Sequence, residues 1–199
     1  MAGTATASST ETGGRREQIL EAALRLIGRE GREGITHRAV AQEAGVPLGS
    51  TTYYFDSRDD LLGQALEEVI RRDTERIEGL REELSAAGSA ERLADILARE
   101  LVAMVRDRSL FIGEYELWLE AARRPELRDS ARTWCATEQR VLTAALEQLG
   151  SSDPATDARL LVAALDGLGE QVLAADDPVG TARRLRPELC RLIERLVAG

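Results

Sequence analysis

The sequence predicts an all-α fold, and three of its properties support this. Of its 199 residues, 43% are hydrophobic and 31% are charged, and only five are prolines that would interrupt helices. Apolar residues recur three and four positions apart along most of the chain, as they do on the inner face of a helix. The alternating β-branched runs that indicate strands are absent from the sequence. The patterns together predict about nine helices packed around a core.

Composition divides the chain into three parts. Residues 1–14 are mostly Ala, Thr, Ser and Gly, so we expect a disordered tail. Residues 15–62 carry short helical patterns and predict a small three-helix domain. Residues 63–199 carry longer helical patterns and predict a larger helical domain. The first helix is expected over 15–30, where one apolar stripe is formed by Ile19, Leu20, Ala23, Leu24 and Ile27.

Two short helical patterns separated by a tight turn lie within residues 35–55. Thr36 stands where an N-cap is expected, and Gly45 suits a left-handed residue just past the end of the first helix. Pro47 cannot continue that helix, and a second short pattern follows it. A helix, a turn containing Gly and a second short helix predict a helix-turn-helix, in which the second helix enters the DNA major groove.

The stretch from Arg15 to about Leu66 resembles the DNA-binding domain of TetR-family transcriptional regulators. Four segments that occur in one order over about fifty residues carry the resemblance: RREQILEAALRLIGREG, ITHRAVAQEAGV, a short helix that ends in an aromatic residue and Phe, and DSRDDLL. In the last segment, Ser57 and Asp60 have the spacing of a capping box and predict the start of a long helix that runs to about Leu84.

The resemblance implies a ligand-responsive regulator of transcription. It implies a cytoplasmic homodimer that binds a palindromic operator on double-stranded DNA, most often as a repressor, and that an unknown small-molecule effector releases from the operator. The larger domain is then expected to bind the effector and to form the dimer. Residues 15–62 are expected to be the DNA-binding domain.

The residues expected to contact DNA lie in the two short helices and just after them. At the start of the first helix, free N–H groups favour a phosphate, and an arginine there suits guanine. A surface salt bridge for Arg38 and an exposed polar position for His37 are the alternatives. The second helix offers small, polar and aromatic side chains. The candidates are Thr36, His37, Arg38, Leu48, Gly49, Ser50, Thr51, Thr52, Tyr53, Tyr54 and Arg58.

The sequence departs from the family pattern at two of these positions. Many members of the family carry Tyr at the position of Thr52 and often Lys at that of Arg58. Here the tyrosine is moved one place along, so the division of roles among Thr52, Tyr53 and Tyr54 stays open. At least one of the two tyrosines is expected to lie in the core.

A few aromatic residues cluster in the middle of the larger domain, and they suggest a ligand site. Apolar pockets with a few polar groups are typical of such sites, although the same residues also suit an ordinary core. The candidates are Met104, Phe111, Tyr115, Trp118 and Trp134. An inward-facing carboxylate from Glu114, Glu116 or Glu120 would favour a cationic ligand, whereas a solvated position is the usual one for Glu on a helix.

Further helices are expected over 90–106, 109–122, 126–149, 154–175 and 178–198, the last with a kink at Pro187. The final two helices carry leucines and a valine that could pack against a second copy of the chain or only close the monomer core. These residues are Leu161, Leu165, Leu168, Val172, Leu185, Leu189, Leu192 and Leu196.

Other classes of protein are disfavoured. The chain has a single histidine, no glycine-rich phosphate loop and no cysteine spacing typical of a metal site, so we expect neither an enzyme nor a bound cofactor or metal. No apolar run is long enough to span a membrane.

The net charge of −9 is unusual for a protein that binds DNA, although residues 1–62 hold seven Arg against nine acidic residues and most of the acidic excess lies beyond them. This charge motivates an alternative function, that of a helical dimer that binds small molecules and does not read DNA.

Overall fold

The structure, a computed structural model, describes residues 6–125 and 128–198, with side chains from residue 14 onward. These residues form α-helices and one 3₁₀ turn, which confirms the predicted all-α class. In chain order the elements are α1 (Thr6–Glu30), the 3₁₀ turn (Arg32–Gly34), α2 (His37–Ala44), α3 (Leu48–Tyr54), α4 (Arg58–Ser85), α5 (Ala90–Met104), α6 (Arg108–Arg123), α7 (Arg128–Gln148), α8 (Pro154–Ala174), α9 (Pro178–Arg184) and α10 (Arg186–Ala198).

The first helix begins earlier than the sequence predicts. α1 starts at Thr6 rather than Arg15, so the tail expected over 1–14 overlaps this helix, and residues 1–5 lie outside the described part of the chain. Composition disfavours a helix there, but extending an existing helix costs much less free energy than nucleating one. The apolar stripe from Ile19 to Ile27 provides the anchored part from which α1 extends.

The helix expected over 178–198 is divided into α9 and α10. The N–H of Leu185 bonds to the carbonyl of Ala182 at 3.2 Å, which tightens the last turn of α9. Pro187 then occupies the second position of α10, where its missing N–H has no helical partner to lose. The break therefore falls within two residues of the predicted kink.

The chain forms two compact units. The first contains the residues up to Val69 together with Ser109–Arg128, and the second contains Ile70–Arg108 and Asp129–Gly199. The boundary predicted after residue 62 differs from this division, since a boundary drawn along the chain cannot assign α6 to the N-terminal unit.

Within the first unit, α6 crosses α1 at two glycines. A Cβ atom on Gly113 would lie 2.3 Å from the carbonyl oxygen of Leu24, and one on Gly28 would lie 1.7 Å from that of Ser109. Only residues without a side chain allow the two backbones to approach this closely. The crossing fixes α6 against the helix that supports the helix-turn-helix.

The second unit has its own hydrophobic core, built from α4, α5, α7, α8 and α10. Of the eight residues considered for a dimer interface, four are buried in this monomer and cannot present a surface to a second copy. They are Leu161, Val172, Leu185 and Leu189. The other four are half-buried, namely Leu165, Leu168, Leu192 and Leu196.

Candidate functional site

The turn between α2 and α3 is fixed by local hydrogen bonds at the positions that the sequence predicts. The side chain of Thr36 accepts a bond from the N–H of Ala39 at 3.1 Å and so caps α2. Gly45 ends α2 in the left-handed conformation at φ 64°. The Gln18 amide of α1 donates to the Ala44 carbonyl at 2.8 Å, which ties this turn to α1.

Thr51 faces inward from α3. It is 0% exposed, and its hydroxyl donates to the Leu48 carbonyl at 2.8 Å and lies 3.4 Å from that of His37. The structure therefore does not support the DNA contact predicted for Thr51, because the side chain is used in packing α3 against α2. A threonine in a short helix gives no sequence signal that distinguishes these two roles.

The opposite face of α3 is exposed and partly apolar. Leu48 is 49% exposed and Tyr53 is 76% exposed, and Gly49 and Thr52 are also exposed. Exposed apolar side chains that lie side by side often mark a contact surface. This face, formed by Leu48, Gly49, Thr52 and Tyr53, is called the reading face below.

The remaining residues of α3 are half-buried. Ser50 and Tyr54 lie between the core and the surface. The Tyr54 ring packs edge-on against Tyr53 with ring centroids 5.0 Å apart, and lies 6.3 Å from that of Phe55, which is 1% exposed. Neither tyrosine is fully buried, contrary to the expectation that one of them is a core residue.

The basic candidates differ in what they contact. Arg38 is exposed, and no ion pair to it is found among the described residues. His37 is half-buried, and its Nδ1 is buried without a hydrogen bond in the described part of the chain. Arg58 donates a short hydrogen bond to the Arg32 carbonyl and lies 3.9 Å from Glu33. Arg58 therefore makes contacts within the protein, in addition to the phosphate contact that the sequence predicts for it.

The five predicted ligand-binding residues are divided between the two units. Phe111, Tyr115 and Trp118 lie on α6 in the first unit, whereas Met104 and Trp134 lie in the second. Phe111 is 3% exposed and packs edge-on against Tyr115 with ring centroids 5.2 Å apart. The other four residues are half-buried: Met104, Tyr115, Trp118 and Trp134.

The carboxylates near these aromatics also have distinct positions. Glu116 is exposed and Glu114 is half-buried, but Glu120 is 6% exposed and pairs with arginines. Because its charge is already neutralised by those arginines, Glu120 does not suit a cationic ligand.

A second group of carboxylates, which no sequence pattern indicates, lies in the second unit. Asp73 of α4 is 9% exposed and lies 3.6 Å from Arg76. On α7, the Oε2 atom of Glu138 is buried and has no hydrogen bond in the described part of the chain. Burial, followed by the nearby negative charge of Asp166, raises the pKa of Glu138 to about 7. Trp134 lies one turn before Glu138 on the same side of α7.

The sequence carries no signal for this acidic group, because its members come from three different helices. Only a tertiary structure brings the side chains of α4, α7 and α8 together. Burial also raises the pKa of Asp73, although the charge of Arg76 opposes this. Burial therefore favours the neutral, protonated form of these carboxyl groups.

One further group places potential metal ligands near one another. Single ligand atoms of Glu91, Cys190 and Glu194 lie within 4.8 Å of each other. The Cys190 thiol lies 3.6 Å from a Glu194 carboxylate oxygen, and burial and that carboxylate raise its pKa, which favours the neutral thiol over a metal-binding thiolate. Separately, none of the described helices is both long and apolar enough to cross a membrane.

Comparison with known proteins identifies both parts of the chain. Residues 19–65 match the family described as bacterial regulatory proteins, tetR family. Residues 88–199 match the tetracyclin repressor-like C-terminal domain. The two matches cover the helix-turn-helix and most of the larger helical part.

Individual relatives agree with this assignment. The transcriptional regulator PksA of Bacillus subtilis is 31% identical over 143 residues, which span 67% of this chain and 64% of PksA. The chain therefore spans slightly less than two thirds of that relative. A TetR-family member from Streptomyces coelicolor A3 is 40% identical, with 88% of this chain and 97% of that chain covered and a TM-score of 0.64.

A third relative was solved with small molecules bound. The multidrug binding protein EbrR in its ethidium complex is 41% identical, with 88% of this chain and 98% of that chain covered and a TM-score of 0.59. EbrR has also been solved with malachite green and with proflavin. The relatives named as regulators agree with the prediction that the chain is not an enzyme. Because the C-terminal match alone covers more than half of the sequence, the chain belongs to the TetR family of transcriptional regulators.

Proposed function

We propose that this chain is a homodimeric repressor that binds a palindromic operator and is released from it by a small-molecule effector. The reading face supports the proposal that the chain binds DNA. Its exposed Leu48 and Tyr53 lie on a short helix that buries Thr51 on its other side, so the packing of α3 leaves these two groups outward. A leucine suits the methyl group of thymine, and a tyrosine hydroxyl suits a phosphate.

Arg38 supports the same proposal. It lies in the first turn of α2, and its exposed side chain is not engaged by an ion pair within the described residues. An arginine next to a reading helix can bond to guanine O6 and N7, or to a phosphate. The neighbouring His37 adds a further donor at the N-terminus of α2.

Binding to a duplex selected by the wild-type protein from a random-sequence pool tests this proposal. We expect the selected sequence to be an inverted repeat, with affinity that falls steeply as salt rises because phosphate contacts release counterions. Arg38→Ala is expected to weaken binding roughly tenfold in a fluorescence anisotropy titration. Arg132→Ala is the control, since Arg132 is an exposed arginine of α7 in the other unit. Failure to select any sequence would contradict the operator proposal.

We further propose that the effector is an aromatic organic cation. The buried Oε2 atom of Glu138 has no hydrogen-bond donor among the described residues, and Asp166 and Asp73 add negative charge around it. Trp134 provides an aromatic surface on the same side of α7, and aromatic rings attract organic cations. Ethidium and proflavin, which EbrR binds, are aromatic cations of this kind.

Titration of the protein with ethidium tests the effector class. We expect binding that becomes tighter from pH 6 to pH 8, because Glu138, with a pKa of about 7, becomes ionised over this range. Glu138→Gln should weaken binding roughly tenfold at pH 8 and remove most of the pH dependence. Glu147→Gln, at an exposed position of α7, should leave binding unchanged. If Glu138→Gln and Glu147→Gln bound ethidium with equal affinity, the effector would not bind beside Glu138.

A further inference from the structure

Glu120 is a buried carboxylate in the first unit with three arginine partners, of which Arg123 is the most distant at 3.5 Å. It is 6% exposed, and one of its oxygens accepts hydrogen bonds from Arg32 and Arg124, each at 2.8 Å. Burial acts to raise the pKa of Glu120, but the hydrogen bond from Arg124 and the charge of Arg32 outweigh it, so the pKa lies below its ordinary value. Glu120 is therefore ionised at neutral pH and holds the guanidinium groups of Arg32 and Arg124.

Arg32 and Arg124 connect Glu120 to opposite ends of the helix-turn-helix. Arg32 lies in the 3₁₀ turn that joins α1 to α2. Arg124 donates to the backbone carbonyl of Asp59 at 3.3 Å and to its carboxylate at 3.2 Å, and Asp59 lies in the first turn of α4, just after α3. The same Asp59 carboxylate accepts from Arg32 at 3.4 Å.

These contacts form a closed network around the segment that carries the reading face. The chain enters this segment next to Arg32 and leaves it next to Asp59, and both residues are bonded to α6 or to its end. Arg58 adds a direct link between the two ends, since its guanidinium donates to the Arg32 carbonyl. At the other end of α6, the crossing at Gly28 and Gly113 holds this helix against α1. The network thus joins the segment to a helix that is itself fixed.

We propose that Glu120 is a positioning residue for DNA recognition, which sets the orientation of α2 and α3 by holding Arg32 and, through Arg124, Asp59. Exposed ion pairs contribute little to stability, but removal of a buried partner leaves the remaining charges uncompensated. Arg32 and Asp59 are partly exposed and would then adopt other positions. The reading face would lose its fixed orientation while its own residues remain intact. This inference rests on the proposed operator binding.

The test compares Glu120→Gln with Glu116→Gln, a matched change at an exposed position one turn earlier on α6. Each full-length variant is titrated with the duplex selected by the wild-type protein and with a scrambled duplex of the same composition. We expect Glu120→Gln to weaken binding to the selected duplex roughly tenfold and to leave binding to the scrambled duplex within twofold, because non-specific binding depends on charge and not on orientation. Glu116→Gln should leave both affinities unchanged.

A second variant separates positioning from a general loss of structure. Arg32→Gln should weaken operator binding to a similar degree, and the double variant Arg32→Gln, Glu120→Gln should bind no more than about twofold worse than either single variant. Additive losses, an unchanged affinity in Glu120→Gln, or equal losses on both duplexes together with a lower melting temperature would overturn the inference. If the wild-type protein itself shows no preference between the two duplexes, the proposed operator binding fails and this inference fails with it.

Discussion

Two neighbouring threonines of α3 serve different purposes, although they are adjacent in the sequence. Thr51 is fully buried and its hydroxyl donates within the protein, whereas Thr52 is exposed on the reading face. Thr51→Val keeps the shape of the side chain and removes a buried donor, so it is expected to lower the free energy of unfolding by about 1 kcal/mol. Urea denaturation measures this change.

Thr52→Ala serves as the matched comparison. Because its hydroxyl is exposed, we expect the free energy of unfolding to change by less than about 0.5 kcal/mol. Operator affinity, measured by anisotropy, should fall in Thr52→Ala if the reading face contacts DNA. A larger loss of stability in Thr52→Ala than in Thr51→Val would contradict the packing described for α3.

Glu138 makes stability depend on pH. Its pKa is raised from 4.5 to about 7 in the folded protein, mainly by burial and then by Asp166. A raised folded-state pKa means that the folded form binds the proton more tightly, so its contribution to stability is complete below pH 4.5 and is lost as pH rises through 7. Glu138→Gln, which cannot ionise, should be more stable than the wild type at pH 8, by on the order of 1 to 3 kcal/mol. At pH 4 the two proteins should have closely similar stability.

Melting temperatures measured by circular dichroism from pH 4 to pH 8 check this prediction. Glu147→Gln controls for the removal of one negative charge from α7, because Glu147 is exposed. A stability difference between wild type and Glu138→Gln that does not change with pH would show that burial of Glu138 is not the cause.

At the scale of elements, the crossing of α1 and α6 depends on glycine. In Gly113→Ala the new Cβ would lie 2.3 Å from the Leu24 carbonyl oxygen, and backbone atoms on both sides leave no flexible group to move aside. We expect a loss of roughly 1–3 kcal/mol in the free energy of unfolding. Gly79→Ala provides the opposite case, since a Cβ at this position of α4 meets nothing within 4 Å.

The two glycine variants should therefore change stability in opposite directions. Alanine favours a helix over glycine, so Gly79→Ala is expected to raise the free energy of unfolding by about 0.5–1 kcal/mol. Thermal denaturation followed by circular dichroism measures both changes. Destabilisation of similar size in both variants would mean that helix α6 does not cross α1 in the way described.

The sequence predicts those elements whose signals are local. The N-cap at Thr36, the left-handed Gly45 and the bond from the Asp60 N–H to the Ser57 hydroxyl at 3.1 Å each depend on residues a few positions apart. The reciprocal bond of the capping box differs, because the Asp60 carboxylate accepts from the N–H of Asp56. Such details depend on the path of the chain into the helix, which residue types alone do not specify.

Contacts between distant parts of the chain could not be predicted in the same way. Arg58 and Thr51 both lie in segments that the sequence identified, but their internal partners follow from packing and not from spacing. Assignment of α6 to the first unit depends on Gly28 and Gly113, which are 85 positions apart in the sequence and resemble ordinary helical glycines. The carboxylates around Glu138 are likewise contributed by separate helices.

For the molecule as a whole, the proposed homodimer requires an apolar surface that the monomer leaves uncovered. Among the described residues, the large apolar side chains that are clearly exposed include Leu160 of α8 at 52% and Leu119 of α6 at 58%, besides those of the reading face. Leu160 lies on α8, one of the helices whose apolar residues suit either a second copy or the monomer core, and the half-buried Leu168 lies on the same helix. In the proposed homodimer, we therefore expect the exposed side of α8 to make the contact between copies.

Leu160→Glu is expected to raise the dimer dissociation constant at least about tenfold, because a charge would be buried against the apolar surface of the second copy. Sedimentation velocity over a range of micromolar concentrations measures the change, and operator binding should weaken in parallel because two linked heads read the two half-sites. Leu119→Glu makes the same chemical change at an equally exposed leucine of the first unit and should leave the dimer intact. If Leu119→Glu dissociates the dimer and Leu160→Glu does not, the contact between copies lies on α6, and the half-buried leucines of α8 and α10 only complete the monomer core.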